Sequence, residues 1–486
     1  MLRCLLPALL LGLGTIAGAQ DYSWLDNPKL VILRAAIDPQ SRVLHVEGEN
    51  FGSRRLPSVT LDDEQLTVRS ATQTSIEAGP LPPSIGLGSR VLRVVAGDDR
   101  SRFDSFTVEI GEDALVRPQP PLSVPQDGFN TLGVLDGEGD VGWSPSIAIG
   151  ADGLPVVAYL DYTNLDLKVA HCADPACDSA THALVDAEGD IGWSIDLAIG
   201  ANGLPIIAYF NSSKGVLKVA RCEDPGCHSA TISVLDDSGD VGKFVSIAVP
   251  ADGLPVISYY DREHHDLLIA LCRDASCDDA VLRALDSAGD VGWHNAIAVG
   301  AGGNPVVSYF DSSRRDLKVA VCQDRGCAEV TKAALDMGGV GMGTDLVIGE
   351  DGLPFIAYWD FLNDDLKAAH CDDVGCKSAR IFRIDTEGSV GSNPAVALGA
   401  DGLPLIAYHD HSNSDLKVAH CLDAKCSDAE VSTVDSAGSV GWHIAVVAGA
   451  DGLPLIAYYD ETNGDLKLAR CGDLACSRRA PPPSRF

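Results

Sequence analysis

Fourteen of the fifteen cysteines fall into seven C-x4-C pairs: Cys172/Cys177, Cys222/Cys227, Cys272/Cys277, Cys322/Cys327, Cys371/Cys376, Cys421/Cys426 and Cys471/Cys476. Paired thiols can bind zinc, but zinc pairs usually sit roughly two to four residues apart and need a second pair or histidines converging on them. An even number at one fixed spacing in an exported chain reads as disulfides, each closing a short loop and stabilising its unit by roughly 2 kcal/mol. Oxygen donors form the second set. The loops Asp136-Gly-Glu138-Gly-Asp140 and Asp186-Ala-Glu188-Gly-Asp190 place acids at alternate positions, a spacing that suits the six to eight oxygens of a calcium ion. There is no D-x-D-x-D-G run and no distal glutamate, and later copies put Val340, Ser389 and Ser439 at the third acid. Calcium is therefore a candidate ligand, and no cofactor is required.

Aromatic and single-copy groups complete the inventory. A recurring Asp-x-x-Gly-Asp/Ser-Val-Gly-Trp stretch gives Trp143, Trp193, Trp293 and Trp442, with Lys243, Met342 and Ser392 at the same place in the other copies. Exposed in a ring, such indoles would stack on sugar rings while neighbouring acids and amides meet the hydroxyls. The plainer reading is that each indole wedges into the core. Asp161, Asp261, Asp311, Asp360, Asp410 and Asp460 open a second recurring turn, where they either face a ligand or cap the backbone. Lys168, Lys218, Lys318, Lys367, Lys417 and Lys467 follow these turns and are expected to pair with acids in the same or an adjacent unit. Asp196, Asp345, His294 and His443 depart from their counterparts in the other copies, and are the candidates for acid/base chemistry if the chain is an enzyme. No G-x-S-x-G, zinc-helix or phosphate-loop motif is present.

These residues recur because the chain does. Gly-Leu-Pro prolines at Pro155, Pro205, Pro255, Pro305 (here Gly-Asn-Pro), Pro354, Pro404 and Pro454 set a period of 50 residues with one step of 49. Within the first copy, alternation and turns place strand A at 146–150, B at 155–160, C at 167–172 and D at 177–185. Four antiparallel strands repeated seven times predict a seven-bladed β-propeller; an open β-solenoid is the alternative. After Cys476 only SRRAPPPSRF remains, too proline-rich for an outer strand. The segment Phe129–Asp136 matches the end of strand D and is expected to complete the last blade, closing the ring by strand exchange and removing two sheet edges. Strand order then puts the B–C and D–A connections on one face, where function is expected, and the Gly-Leu-Pro turns and cystines on the other.

Residues 27–110 lack the repeat and read as short strands of an all-β sandwich. Asp38-Pro39, the run Leu44-His45-Val46-Glu47-Gly48-Glu49-Asn50-Phe51-Gly52, Pro57-Ser58-Val59-Thr60-Leu61 and Val91-Leu92-Arg93-Val94 resemble an IPT/TIG domain. That resemblance implies an immunoglobulin-like fold serving as spacer or interaction module, with no catalytic residue. Residues 111–128 form a proline-rich linker, 129–476 the propeller and 477–486 a Pro/Arg tail.

The first residues combine Arg3, an apolar run from Leu5 to Leu13 and Ala17-Gly18-Ala19, a signal peptide over residues 1–19. No later stretch is long enough for a membrane span. A net charge of −33 repels phosphate backbones and anionic lipid, so nucleic acid is excluded as a partner. The sequence thus predicts a secreted recognition or adhesion protein that binds an extracellular glycan or protein through the B–C and D–A loops. The alternative is a secreted enzyme acting on polysaccharide or glycoconjugate at the central mouth. Repeated, near-identical loops suit summed weak sites better than a single catalytic centre.

Overall fold

The structure is a computed structural model and describes residues 31–37, 44–49, 51, 57–61, 64–72, 74–78, 88–96, 103–110, 129–300 and 302–478. The expected leader and linker and all but the first two residues of the expected tail lie outside these residues, as do Asp38-Pro39, Asn50 and Gly52 of the IPT/TIG-like pattern. The described chain is all β, and separates into two compact units, residues 1–121 and 122–486.

The first unit has eight strands: β1 (Val31–Ile37), β2 (Leu44–Glu49), β3 (Ser58–Leu61), β4 (Glu64–Leu66), β5 (Val68–Ala71), β6 (Ser75–Ala78), β7 (Gly88–Val95) and β8 (Phe103–Ile110). They form two antiparallel sheets, β1-β2-β6-β5 and β4-β3-β7-β8. Alternate residues Leu44 and Val46, Val59 and Leu61, and Leu92 and Val94 point into one core, with Phe51 fully buried among them. This is the immunoglobulin-like sandwich, its period-two pattern burying one face of each sheet.

The second unit is seven four-stranded sheets, each in the order A-B-C-D. In the first blade, A is Val141–Ile149, B Pro155–Asp161, C Asp166–Cys172 and D Ala180–Asp186. Strand A of every blade packs on strand A of the next, and that of the last blade (Val440–Ala448) packs on that of the first, so the ring is closed with the A strands at the axis. Strand B is buried along its whole length, as its unbroken apolar run demands, because neighbouring blades cover both faces. Strand A starts five residues before its predicted start: bulges between Val141 and Trp143 and between Trp143 and Ser146 break the alternation that marks a strand in sequence.

All seven C-x4-C pairs are disulfide-bonded, as expected: Cys172–Cys177, Cys222–Cys227, Cys272–Cys277, Cys322–Cys327, Cys371–Cys376, Cys421–Cys426 and Cys471–Cys476. The second cysteine of each pair does not open strand D, however. The expected start at Cys177, and by repetition at Cys227, Cys277, Cys327, Cys376 and Cys426, is corrected to Ala180, Ala230, Ala280, Val330, Ala379 and Ala429. Each of these cysteines stands in the left-handed region instead, with φ of 58°, 56°, 54°, 48°, 47° and 56° in that order. The turn imposes that conformation. Asp174 takes the Ala176 N–H on its carboxylate and offers its carbonyl to the Cys177 N–H, and Asp224, Asp274, Asp324, Asp373 and Asp423 offer theirs to Cys227, Cys277, Cys327, Cys376 and Cys426. A residue held in that turn is not extended and has no place in the ladder.

Closure uses the expected exchange. Thr131–Asp136 pairs antiparallel with Asp465–Arg470 as the outer strand of the last blade. Buried Asn130 clasps the chain end: its Nδ2 donates to the Cys476 carbonyl at 2.7 Å, its Oδ1 accepts the Gly472 N–H at 2.9 Å, and its own N–H reaches the Arg478 carbonyl.

Each seam between blades is built alike. The aspartate ending strand D of one blade receives the tyrosine hydroxyl of strand B and the lysine ammonium of strand C from the next. Asp136 takes Tyr159 at 2.6 Å and Lys168 at 2.5 Å; Asp186 takes Tyr209 and Lys218. The pattern continues at Asp286, Asp336, Asp385 and Asp435, giving the expected lysine pairs an adjacent-blade acid. In the third copy Leu268 replaces the lysine, so Asp236 holds Tyr259 alone of the two. Gly142 has φ 94°, and a Cβ there would come within 2.6 Å of the Leu466 backbone in the preceding blade; only glycine lets the inner strand pass so close.

Candidate functional site

The axial mouth is where the single-copy residues meet. Ser146, Asp196, Ser246, Ala296, Asp345, Ala395 and Ala445 occupy equivalent places on the seven A strands. Asp196 accepts from Ser146 Oγ (2.7 Å), Ser246 Oγ (3.0 Å) and the N–H groups of Leu197 and Ile247. Asp345 accepts only the N–H groups of Leu346 and Val396, each at 2.8 Å. Burial raises both carboxyls, that of Asp345 to about 7, with the Asp196 charge adding to the effect. No hydrogen bond joins the two carboxyls among the described residues. Each is primarily a latch, accepting the backbone N–H of the following blade, as serine does in blades 1 and 3.

Above them His294 and His443 line a polar funnel with Asn295, Thr344 and Asn393. Burial lowers both imidazoles to about 4, so they are neutral at physiological pH. Their backbones lie in the left-handed region, φ 47° and 49°, as do those of Ser144, Phe244 and Asn393 at the same repeat position. The bulge imposes that strain, and it turns these side chains toward the axis.

Of the two roles open to the turn aspartates, the structure shows capping. Asp161, Asp261, Asp311, Asp360, Asp410 and Asp460 are all buried, and cap their own turns. Asp161 Oδ1 takes the Asn164 N–H and Oδ2 its amide, with the same pair at Asp360, Asp410 and Asp460. A four-residue turn leaves N–H groups that a short carboxylate satisfies at once. Of the calcium candidates, Asp136 and Asp186 have their oxygens engaged by internal donors from Tyr, Lys and backbone. Burial alone would raise the Asp136 carboxyl, but Lys168, Tyr159 and the Glu138 N–H outweigh it and hold it below the usual range. Of the other four, Glu138 and Asp190 lie on the surface, Asp140 receives the Trp143 indole and Glu188 pairs with Lys214 at 2.7 Å. Among the described residues no three His, Cys, Asp or Glu side chains gather as a metal site.

The four tryptophans divide three to one. Trp143 donates to Asp140 and stacks on Tyr162, centroids 4.7 Å apart, with Tyr459 of the preceding blade at 4.9 Å. Trp293 donates to Asp290 and packs on Tyr260; Trp442 packs on His409 at 4.4 Å. These three are wedges. Trp193 is 64% exposed. At the position where Tyr459, Tyr260 and His409 support the other three, the blade preceding Trp193 has Leu160, which offers neither ring nor hydroxyl. That substitution is the sequence signal for the exposed indole.

Trp193 stands at a cleft of about 570 Å³ that runs over blades 1 to 4. Phe210, Phe244, Tyr260 and Trp293 give it an aromatic wall, and Asp190, Ser212, Lys243 and Arg262 supply polar groups. Its makers come from both loop sets: Phe210 and Tyr260 share a repeat position that carries a ring in six of the seven copies, Trp293 holds the recurring tryptophan position, and of the four only Trp293 was a candidate in the sequence.

No family model matches the chain, and no curated protein matches it. Among solved structures it is similar to a putative phosphatase from Bacteroides thetaiotaomicron, at 11% identity over 91% of this chain and 97% of that one, TM-score 0.39. An auxiliary nutrient binding protein from Bacteroides ovatus aligns at 12% identity over 91% and 98%, TM-score 0.40. An α-L-arabinofuranosidase from Fusarium graminearum aligns at 9% over 71% and 98%, TM-score 0.42. Likeness at that level decides nothing about the cleft, whose chemistry rests on its own residues.

The aromatic surface offers a face for an apolar or sugar ring, and the polar groups lie where they can fix its orientation. The His171, His370 and His420 rings sit on the opposite face, each bonded to a turn aspartate, Asp152, Asp351 and Asp401.

Proposed function

We propose that this chain is an exported, non-enzymatic recognition protein whose propeller binds a glycan in the cleft beside Trp193. The observation that carries the reading is an indole left 64% exposed at the mouth of a cleft lined by five further aromatic rings, when its three counterparts are wedged between blades. Holding a large apolar side chain in water has no folding benefit, and a sugar ring would cover it. Seven cystines and an N-terminal apolar leader support export. No helix among the described residues is long and apolar enough to cross a membrane.

The test is a glycan array probed with the full mature chain and with Trp193→Ala. Binding to a defined sugar that the variant loses supports the reading. Capture of a protein partner with a blank array transfers the face to protein recognition. An enzymatic reading has one observation behind it: Asp345 titrates at about 7, near where a general acid/base works. Hydrolysis of a bound glycan, abolished by Asp345→Ser but not by Trp193→Ala, would select it.

A further inference from the structure

The face that carries the cleft is electrically lopsided. The seven B–C turns and seven D–A turns hold four Lys or Arg residues, Lys214, Arg262, Arg314 and Arg315, and a fifth cation, Lys243, stands where four other blades have Trp. All five belong to blades 2, 3 and 4, and the same turns of blades 1, 5, 6 and 7 have none. The chain as a whole carries −33, so cations gathered on one sector of one face contrast with the rest of the molecule.

Two of the five line the cleft itself. Lys243 Nζ lies 5.3 Å from the centre of the Phe210 ring and 3.5 Å from Asp240 Oδ2; Arg262 Nη1 lies 3.1 Å from the same oxygen. One surface carboxylate therefore serves two cations, and Arg262, 62% exposed, keeps donors free for a second acceptor. Lys214 and Arg314 have acids of their own, Glu188 and Asp311, whereas exposed Arg315 has no acid within ion-pair distance among the described residues. An indole face with a guanidinium and an ammonium beside it matches a sugar ring bearing a carboxylate: the ring stacks, and the carboxylate accepts charge-assisted bonds.

Resting on the glycan reading above, we infer that the cleft selects an acidic sugar, with Trp193 stacking on the ring and Lys243 and Arg262 receiving its carboxylate. Neutral sugars use the same stack without the charge contact, and bind more weakly. Asp190 and Ser212 remain for hydroxyl groups.

The experiment measures binding of the full mature chain by calorimetry to two matched pairs: trigalacturonate against its methyl ester, and sialyllactose against lactose. At least one acid should bind roughly tenfold tighter than its neutral partner, a charge-assisted bond's worth. Lys243→Met with Arg262→Gln should erase that preference while leaving neutral binding in place, and Trp193→Ala should weaken acid and neutral ligands together. Both sites are partly or largely exposed, so the variants are expected to fold, as thermal unfolding would verify. Equal affinity within each pair, or a preference that survives loss of both cations, overturns the acidic selection while a Trp193-dependent neutral ligand keeps the glycan reading. Absence of any Trp193-dependent glycan binding overturns both.

Discussion

Tyr459 and Trp143, from the last blade and the first, donate to one carboxylate oxygen: hydroxyl and indole each lie 2.8 Å from Asp140 Oδ1. The carboxylate that seats the first tryptophan thus also takes a bond that closes the ring. Tyr459→Leu recreates at this seam the combination that blade 1 presents to Trp193. The expected outcome is a second solvent-accessible indole, seen as added acrylamide-quenchable emission in a Trp193→Phe background, with a stability loss of about 1–2 kcal/mol.

Trp193→Ala should leave thermal stability unchanged within roughly 0.5 kcal/mol, as for an exposed residue. Trp143→Ala and Trp293→Ala each remove a packed, hydrogen-bonded ring and should cost about 2–4 kcal/mol in urea unfolding. The opposite order would return the four indoles to one structural class.

At the seams, removing the acid should hurt more than removing the base. Asp186→Ala strands Lys218, whose side chain is 3% exposed, and should cost roughly 3–5 kcal/mol. Lys218→Leu leaves Asp186 with Tyr209 and the Glu188 N–H, the arrangement Asp236 already tolerates with Tyr259 and the Ser238 N–H beside Leu268, and should cost less than half as much. Equal losses would show that the lysine, not the aspartate, anchors the seam.

Stability should depend on pH from both sides. Burial would raise Asp286, but bonds from Lys318, Lys332 and Tyr309 lower it to about 2, so its contribution is present above pH 4 and lost as pH falls toward 2. His294 and His443, lowered by burial to about 4, resist protonation, and stability falls as pH drops from 6.5 to 4. Asp345 acts in the other direction. Raised by burial to about 7, it imposes a penalty that is absent below pH 4, grows up to pH 7 and is constant above. Asp345→Ser, using the residue that blades 1 and 3 have there, should therefore gain on the wild type between pH 4.5 and pH 8 when melting temperatures are compared. A gap that does not widen would mean the carboxyl is ionised throughout.

Asn130→Ala removes the clasp and leaves the buried Cys476 carbonyl and Gly472 N–H unpaired. A loss of about 2–4 kcal/mol is expected in urea unfolding. Exposure of the Cys471–Cys476 bond to mild reductant before the other cystines would place that loss at the ring's closure.

The repeat was legible because its demands are local and recur. A buried B strand needs an apolar run, the cystine turn needs C-x-Asp-x-x-C, and the close pass of Gly142 against Leu466 needs a residue without Cβ. Seven copies of these signals predicted the blade count, the cystines and the exchanged strand Thr131–Asp136. The start of strand A was hidden, because a bulge moves residues between faces and erases the period-two pattern. The start of strand D was hidden too, because the left-handed turn at Cys177 and its six counterparts leaves no mark in residue type beyond the cysteine itself. The turn aspartates stayed ambiguous for a related reason: an acid that caps backbone and an acid that meets a ligand look the same in a list of loop residues.

Sequence alone determined the order of strands, the faces of the ring and the pairing of cysteines, since each follows from neighbours along the chain. Tertiary structure alone decided which tryptophan is free and which aspartates are spent. Those outcomes depend on what the adjacent blade brings: Tyr459 to Trp143, Leu160 in the blade before Trp193, Tyr209 and Lys218 to Asp186. A side chain's exposure is set across the seam, about 50 residues or a whole ring away, and by packing that no local pattern encodes.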